Sequence, residues 1–318
     1  MSDPRYRQVS PPQGSPAFNQ AYEELVFHQG EGLPLLMLWR NEPAVICGKH
    51  QNLYGEVNVW RANQQGLPLI RRESGGGTVT HGYGNLNYTM VHALAGDWDA
   101  ADFPRPIIAC LRELGADAAL FDHAGIAVGG LKVSGSAQRI TGGRILHHGT
   151  LLFDADLGQV NGPLHRSGHI ANCRGTLSKP AAIGNIRPQL KQDMAMDAFE
   201  AYLVKRLCTG QAPFELADIE AVHALAHSKY ATWDWTYARS PRFDYQKDFM
   251  IQEKPWSLSY TCEKGALHQV RMAGYGQDKP ELSALFMKQR LDPASLSAHM
   301  ARFFPPDVAE ALLPHFFG

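Results

Sequence analysis

Apolar positions recur along the chain with two periods, and these divide it into helices and strands. Phe18, Ala21, Tyr22, Leu25 and Val26 lie three and four apart, which gives residues 18–29 the apolar face of a helix. The short runs 34–39 and 43–47 sit between turn residues and read as strands. Another short strand is expected at 69–72, and 85–92 alternates like a strand after a glycine-rich loop. The pattern predicts a helix over 106–114, then strands at 126–128, 132–137 and 149–153 joined by glycine turns. Amphipathic helices are expected over 193–207 and 216–227.

The texture changes near Ser240 and Pro241. Beyond them, 256–262 and 267–272 flank Glu263, Lys264 and Gly265 as a hairpin, with helices at about 280–290, 293–303 and from 306. These spans predict an α+β protein with a disordered arm (1–15), a large domain (16–243) and a small C-terminal α+β unit (244–318).

Composition narrows the function. The net charge is -1 with no long run of one sign, so the chain lacks the basic patch that neutralises phosphates. No nucleic-acid partner and no polybasic membrane anchor is expected. Five cysteines without close spacing give neither a zinc pattern nor a disulfide framework, and they suit a reducing compartment. The N-terminus has no apolar core of signal-peptide length, and no apolar stretch is long enough to span a bilayer. A cytoplasmic protein with no membrane partner is expected.

Three stretches carry chemistry. In Arg71-Arg72-Glu73-Ser74-Gly75-Gly76-Gly77-Thr78, followed by Val79, Thr80 and His81, three glycines leave a backbone able to press on a flat ligand or aim N–H groups at an anion. Flanking arginines add forked donors. By itself the triple glycine fits a flexible turn equally well. In Lys132-Val133-Ser134-Gly135-Ser136-Ala137, a strand lysine followed by small residues can point into a cleft and polarise an acyl carbonyl, although most single lysines are surface groups. In His147-His148-Gly149-Thr150, adjacent strand histidines face opposite ways, so they do not share a metal. One is expected to hydrogen-bond and the other to pack in the core.

Taken together, these stretches resemble the lipoate-protein ligase A family, related to octanoyltransferases and biotin ligases. The family's Arg-x-Ser-Gly-Gly-Gly loop, its histidine and its Gly-Asn match Arg72, Ser74, Gly75, Gly76, Gly77, His81, Gly84 and Asn85. The family lysine stretch matches Lys132, Ser134, Gly135 and Ala137, and His-His-Gly-Thr-Leu-Leu stands unchanged at 147–152. The likeness extends to residues 38–41, to 48–58 and to the junction at 233–243.

The resemblance implies a central mixed sheet with surrounding helices, a C-terminal accessory domain and a monomer. It implies that lipoate (or octanoate) and MgATP give an acyl-adenylate, whose acyl group passes to a lysine of a lipoyl-carrier domain. That carrier would be a 2-oxoacid dehydrogenase E2 or a glycine-cleavage H-like protein. Lys132 would be catalytic. The loop with Thr78, His81, Gly84, Asn85, Ser134, Gly135 and Ala137 would hold the adenylate. Trp39, Arg71, His148, Gly149 and Thr150 would contact the acyl substrate, and Arg72, Ser74 and His81 would also shape the acyl tunnel. No metal ligands are assigned.

Three departures bear on ATP. Gly82 follows the loop histidine where the family has Asp, Ala124-Gly125 stands where it has Asn-Asp, and Ser178-Lys179-Pro180-Ala181-Ala182 replaces an arginine-rich stretch. Fewer carboxylates and cations at a triphosphate site favour the alternative of an acyltransferase that takes a pre-activated donor. Arg71, Arg174, Lys179 or Arg187 are expected substitutes. A second alternative is a non-catalytic homologue that binds lipoyl domains. Cys173, in a glycine-rich stretch, is expected to be incidental rather than a nucleophile.

Overall fold

The computed structural model describes residues 5–94, 96–162, 164 and 167–318. In chain order the first strands are β1 (Arg7–Val9), β2 (Leu35–Trp39), β3 (Ala44–Cys47), β4 (Leu69–Arg71), β5 (Val79–His81) and β6 (Asn85–Ala93). Then come β7 (Ala118–Phe121), β8 (Gly125–Val128), β9 (Leu131–Ser134), β10 (Ser136–Thr141) and β11 (Arg144–Leu152). The C-terminal strands are β12 (Ile170–Ala171), β13 (Phe243–Ile251), β14 (Lys254–Glu263), β15 (Ala266–Gly274) and β16 (Gln277–Asp278).

A mixed sheet in the order β1-β2-β6-β11-β10 is the central layer, with β1 parallel to β2 and the other pairs antiparallel. Its two faces follow from the period of two. On β6, Leu86, Tyr88 and Met90 point into an apolar core with Ile145 and Leu151 of β11. Helices Arg105–Glu113 and Met196–Leu207 cover that face through Ile107, Leu111, Phe199 and Leu203. The opposite residues Asn85, Asn87 and Thr89 are polar yet buried. On their side lie helix α1 (Pro16–Gln29) and the small sheet β4-β3-β5, packed through Tyr22, Val26, Ile46 and Ile70. A polar floor roofed by a second sheet gives a cleft between the layers.

The C-terminal strands form the sheet β12-β13-β14-β15-β16, which packs with helices Pro280–Phe286, Pro293–Met300 and Pro306–Leu312. Its core does not stop at the expected boundary. Val45, Leu53, Val57 and Val59 share one apolar cluster with Phe243, Tyr260, Leu296 and Phe316.

Several expectations change. Residues 1–4 of the expected arm lie outside the described residues, but Arg7–Val9 is no disordered segment. It adds a strand to the sheet, with Tyr6 and Val9 buried. Three residues are too few for alternation to show. The strand expected at 132–137 is two strands in different sheets, broken at Gly135. The helix ending at 227 instead passes into a π-helical turn, Ala226–Tyr230.

Candidate active site

Register builds the cleft floor. Trp39 faces Asn87, Asn87 faces Thr150, and Thr89 faces His148 across β2, β6 and β11. Thr89 Oγ1 accepts from Trp39 Nε1 (3.0 Å) and donates to Glu23 (2.5 Å). The same carboxylate accepts from His148 Nδ1 at 2.8 Å, and Ser74 Oγ lies 2.6 Å from His148 Nε2. His147, one residue away, faces the core and stacks on Phe103 with centroids 4.7 Å apart. Burial holds it neutral down to about 3. The two histidines therefore divide as alternation requires.

The glycine loop is wrapped around a guanidinium. Arg72 Nη2 donates to the carbonyls of Gly75 (2.5 Å) and Gly77 (2.7 Å), Nη1 to Ile46 (3.1 Å) and Nε to Ser74 Oγ (3.0 Å). Gly76 has φ +81°, a conformation open to glycine. A Cβ on Gly48 would meet Gly76 O at 2.2 Å, so the neighbouring loop approaches as closely as backbone can. Burial lowers Arg72 to about 10, which leaves it charged at neutral pH.

Lys132 stands where two cavities meet. One of about 320 Å³ runs from Trp39, Ile46, His81 and His148 to Asp122, Lys132 and Ser136. The other, about 340 Å³, runs from Lys132 to Glu56, Leu152, Pro180 and Ile183. Thr78, Val79, Gly135, Thr150, Ser178 and Lys179 line both. Lys132 makes no ion pair among the described residues, and its Nζ lies 5.5 Å from the Phe121 ring centroid. Burial lowers its pKa, with Asp122 opposing. Lys132 N donates to Ala182 O and Gly184 N to Lys132 O, both at 3.0 Å, so segment 178–184 runs beside the lysine strand.

Of the residues singled out in the sequence, Trp39, Arg72, Gly76, Gly77, Thr78, His81, Lys132, Gly135, Ala137, His148, Gly149 and Thr150 line the first cavity. Ser134 lines the second. Ser74 and Gly75 stand behind the loop and shape it through Arg72 and His148. Gly84 and Asn85 open β6. A Cβ on Gly84 would meet Asp154 O at 2.0 Å, and Asn85 Nδ2 donates to Asn87 Oδ1 at 2.8 Å.

Arg71 is a correction. Fully buried, it bonds the carbonyls of Gly48 (2.9 Å), Gln51 (2.8 Å) and Thr236 (2.8 Å) and Ser240 Oγ (3.1 Å), and touches neither cavity. Arg71 ends β4 and Arg72 follows it, and the two side chains leave the backbone on opposite sides. Of the expected cationic substitutes, Lys179 lines both cavities, while Arg187 is paired with Asp154 and Asp193 and Arg174 lines neither. Cys173 Sγ accepts from Asn52 Nδ2 at 3.1 Å and lines neither cavity.

Sequence reading missed Gln51 as a structural bridge. Its amide joins Gly48 N and Thr78 Oγ1 to Ser178 Oγ (3.1 Å) and Thr176 O, fixing the glycine loop to the 176–178 segment. Its place in Gly48-x-x-Gln51-Asn52 was the available signal.

A half-buried lysine where two cavities meet, with a glycine loop along their shared wall, gives a site with room for a ligand of two parts. Residues 15–208 match the family model described as the lipoyl protein ligase A/B catalytic domain. A lipoate-protein ligase of Bacillus subtilis, LplJ, is 31% identical over 317 residues, covering 95% of this chain and 93% of that one. Among solved structures, a bipartite lipoate protein ligase of Thermoplasma acidophilum, described with its E2 lipoyl domain, has a TM-score of 0.60 at 22% identity, covering 73% of this chain and 96% of that one. A lipoate-protein ligase A bound with ATP has a TM-score of 0.60 at 24% identity, covering 73% and 98%. The chain belongs to the lipoyl protein ligase A/B family and is an enzyme of the lipoate-protein ligase class.

Proposed function

We propose that the enzyme activates lipoate with ATP to lipoyl-adenylate and transfers the lipoyl group to a lysine of a lipoyl-carrier domain. The observation that carries this reading is the pair of cavities meeting at Lys132. The first suits an acyl chain, with Trp39, Ile46 and Val79 along it, and the second suits a nucleotide. Their junction holds the charge that the carbonyl and phosphate need. The ATP-bound relative supports the nucleotide, and the relative described with an E2 lipoyl domain supports the acceptor.

In the first step a carboxylate oxygen of lipoate attacks the α-phosphorus of ATP and pyrophosphate leaves. In the second the carrier amine attacks the acyl carbon. The C–N bond forms, the C–O bond to phosphate breaks, AMP leaves with the electron pair, and the amine proton passes to water. Lys132 Nζ stabilises the negative charge on carbonyl and phosphate oxygens in both steps. Burial strengthens that attraction by excluding water.

No group of three His, Cys, Asp or Glu among the described residues forms a metal cage. Magnesium keeps several waters and needs only one or two carboxylates beside phosphate oxygens. Asp122 and Glu56, one on each cavity, fit that lesser demand.

The substitution of Ser178–Ala182 for an arginine-rich stretch leaves Lys179 as the cation that this segment brings to both cavities. Activation is therefore slower than transfer. Pyrophosphate release from lipoate and MgATP is compared with transfer from synthetic lipoyl-adenylate. Transfer outpacing activation is the expected result. Transfer from an activated donor with no pyrophosphate release would instead make the enzyme an acyltransferase.

A further inference from the structure

At the Trp39 end of the first cavity most donors already have partners. Trp39 Nε1 bonds Thr89, His148 Nδ1 bonds Glu23, and Arg72 caps the glycine-loop carbonyls. His81 lines this end and is held from behind. Asn19 Nδ2 approaches three acceptors, Gly14 O (3.2 Å), Arg40 O (3.1 Å) and Asn41 Oδ1 (2.7 Å), which fixes the orientation of its amide. Asn41 must then turn Oδ1 to Asn19 and Nδ2 to His81 Nδ1, 2.8 Å away. A ring whose Nδ1 accepts carries its proton on Nε2. The ring takes no second proton near neutrality, because burial, Arg72 and His148 lower its pKa to about 3.

On the lipoate reading, the tail of the acyl chain lies against this ring. With the carbonyl at Lys132, the chain crosses from Thr150 on β11 past Asn87 on β6 to Trp39 on β2. That is two strand spacings, about 10 Å. The Trp39 and His81 ring centroids are 6.0 Å apart there.

We propose that Asn41 is a positioning residue that holds His81 as a neutral Nε2–H donor at the tail of the acyl slot, and that this donor selects a sulfur-bearing dithiolane over a plain alkyl chain. The inference rests on the lipoate reading above and names what makes that site specific. Divalent sulfur accepts a weak hydrogen bond. An alkyl terminus accepts none and leaves a desolvated N–H without a partner, which costs binding energy.

The test is calorimetric binding of lipoate and of octanoate to the full chain and to Asn41→Asp. A carboxylate at 41 demands Nδ1–H from the ring and turns Nε2 into an acceptor. The wild type should favour lipoate by about tenfold, as one modest hydrogen bond allows, and Asn41→Asp should lose that preference while still binding octanoate. Nitrogen-15 spectra of the His81 imidazole give a readout independent of ligand, with Nε2–H in the wild type and Nδ1–H in the variant. If Asn41→Asp does not fold, Asn41→Ala, which leaves the ring unheld, should lower the preference. An Nδ1–H tautomer in the wild type, or a switched tautomer with unchanged preference, overturns this proposal alone. Wild-type protein that binds neither acid overturns the ligase reading as well.

Discussion

The proposed chemistry turns on Lys132. Lys132→Ala should lower acyl transfer by about a hundredfold or more, the usual cost of removing a preorganised charge at a reacting carbonyl. The melting temperature should hold, because the side chain is half-buried and unpaired. Single-turnover transfer beside a thermal melt separates the two effects. A folded variant at near-normal rate would remove Lys132 from the mechanism.

Histidines at the same scale set the acid limit of stability. His81 and His147 stay neutral to about 3 and His92 to about 4, all through burial, against 6.5 unperturbed. Between those values the unfolded chain binds more protons than the folded one. Their contribution is therefore complete above 6.5 and is lost as pH falls, by up to about 1.4 kcal/mol per unit for each ring. Urea midpoints should drop from pH 7 to pH 5. His92 Nε2 is buried without a partner among the described residues, so His92→Phe should flatten part of that slope. A slope unchanged in the variant would contradict the assignment.

The opposite facing of His147 and His148 was readable from strand alternation. The role of Arg71 was not, because 71 and 72 look alike in sequence and only the β4 register decides which enters the cleft.

Among the elements, the glycine loop is the most demanding. Gly76→Val places a branched side chain at φ +81°, with Arg72 Nη2 3.0 Å and Ala137 Cβ 3.4 Å from the new Cβ. It should abolish binding of a non-hydrolysable lipoyl-adenylate analogue measured by calorimetry, and unchanged affinity would reduce the loop to a turn. The start of the loop is fixed by charge. Glu73 pairs with Lys229 on the π-helical turn and with Lys49 at 2.7 Å, and Lys229 also pairs with Glu24 of α1 at 2.8 Å. Lys229→Met leaves Glu73 with Lys49 and Glu24 with Arg139. It should cost about 1–2 kcal/mol, below the roughly 3–5 kcal/mol typical of a buried charge left alone. A denaturation midpoint equal to that of the wild type would show the network to be incidental.

Several elements were readable from the chain, α1, β6, the C-terminal hairpin and the short apolar runs of β2, β3, β4 and β8 among them. Others were not, β5 and the nine-residue β13 included. Val79–His81 carries too few residues for a pattern, and Gly135 separates two strands within one run of small residues. The ion-pair network was also hidden, since Glu24, Lys49, Glu73, Arg139 and Lys229 are scattered along the sequence.

At the scale of the whole molecule, the C-terminal unit shares its core with residues 45–59. Ending the chain after residue 243 would uncover Val45, Leu53, Val57 and Val59, which are essentially inaccessible in the full chain. The shortened protein should therefore aggregate or melt without cooperativity. A monomeric, cooperatively melting fragment on size exclusion and calorimetry would show two independent domains. Contacts between distant segments, such as those of residues 45–59 with the C-terminal sheet, cannot be read from local pattern.

The central claim is ATP-driven lipoylation at the junction of two cavities. The most direct measurement is intact-mass spectrometry of a lipoyl-carrier domain incubated with the enzyme and lipoate, with and without MgATP, in parallel with the Lys132→Ala enzyme. The account predicts a gain of one lipoyl group that requires MgATP and disappears with Lys132→Ala. A carrier left unmodified by the wild-type enzyme with lipoate and MgATP, or modified equally by the variant, would contradict it.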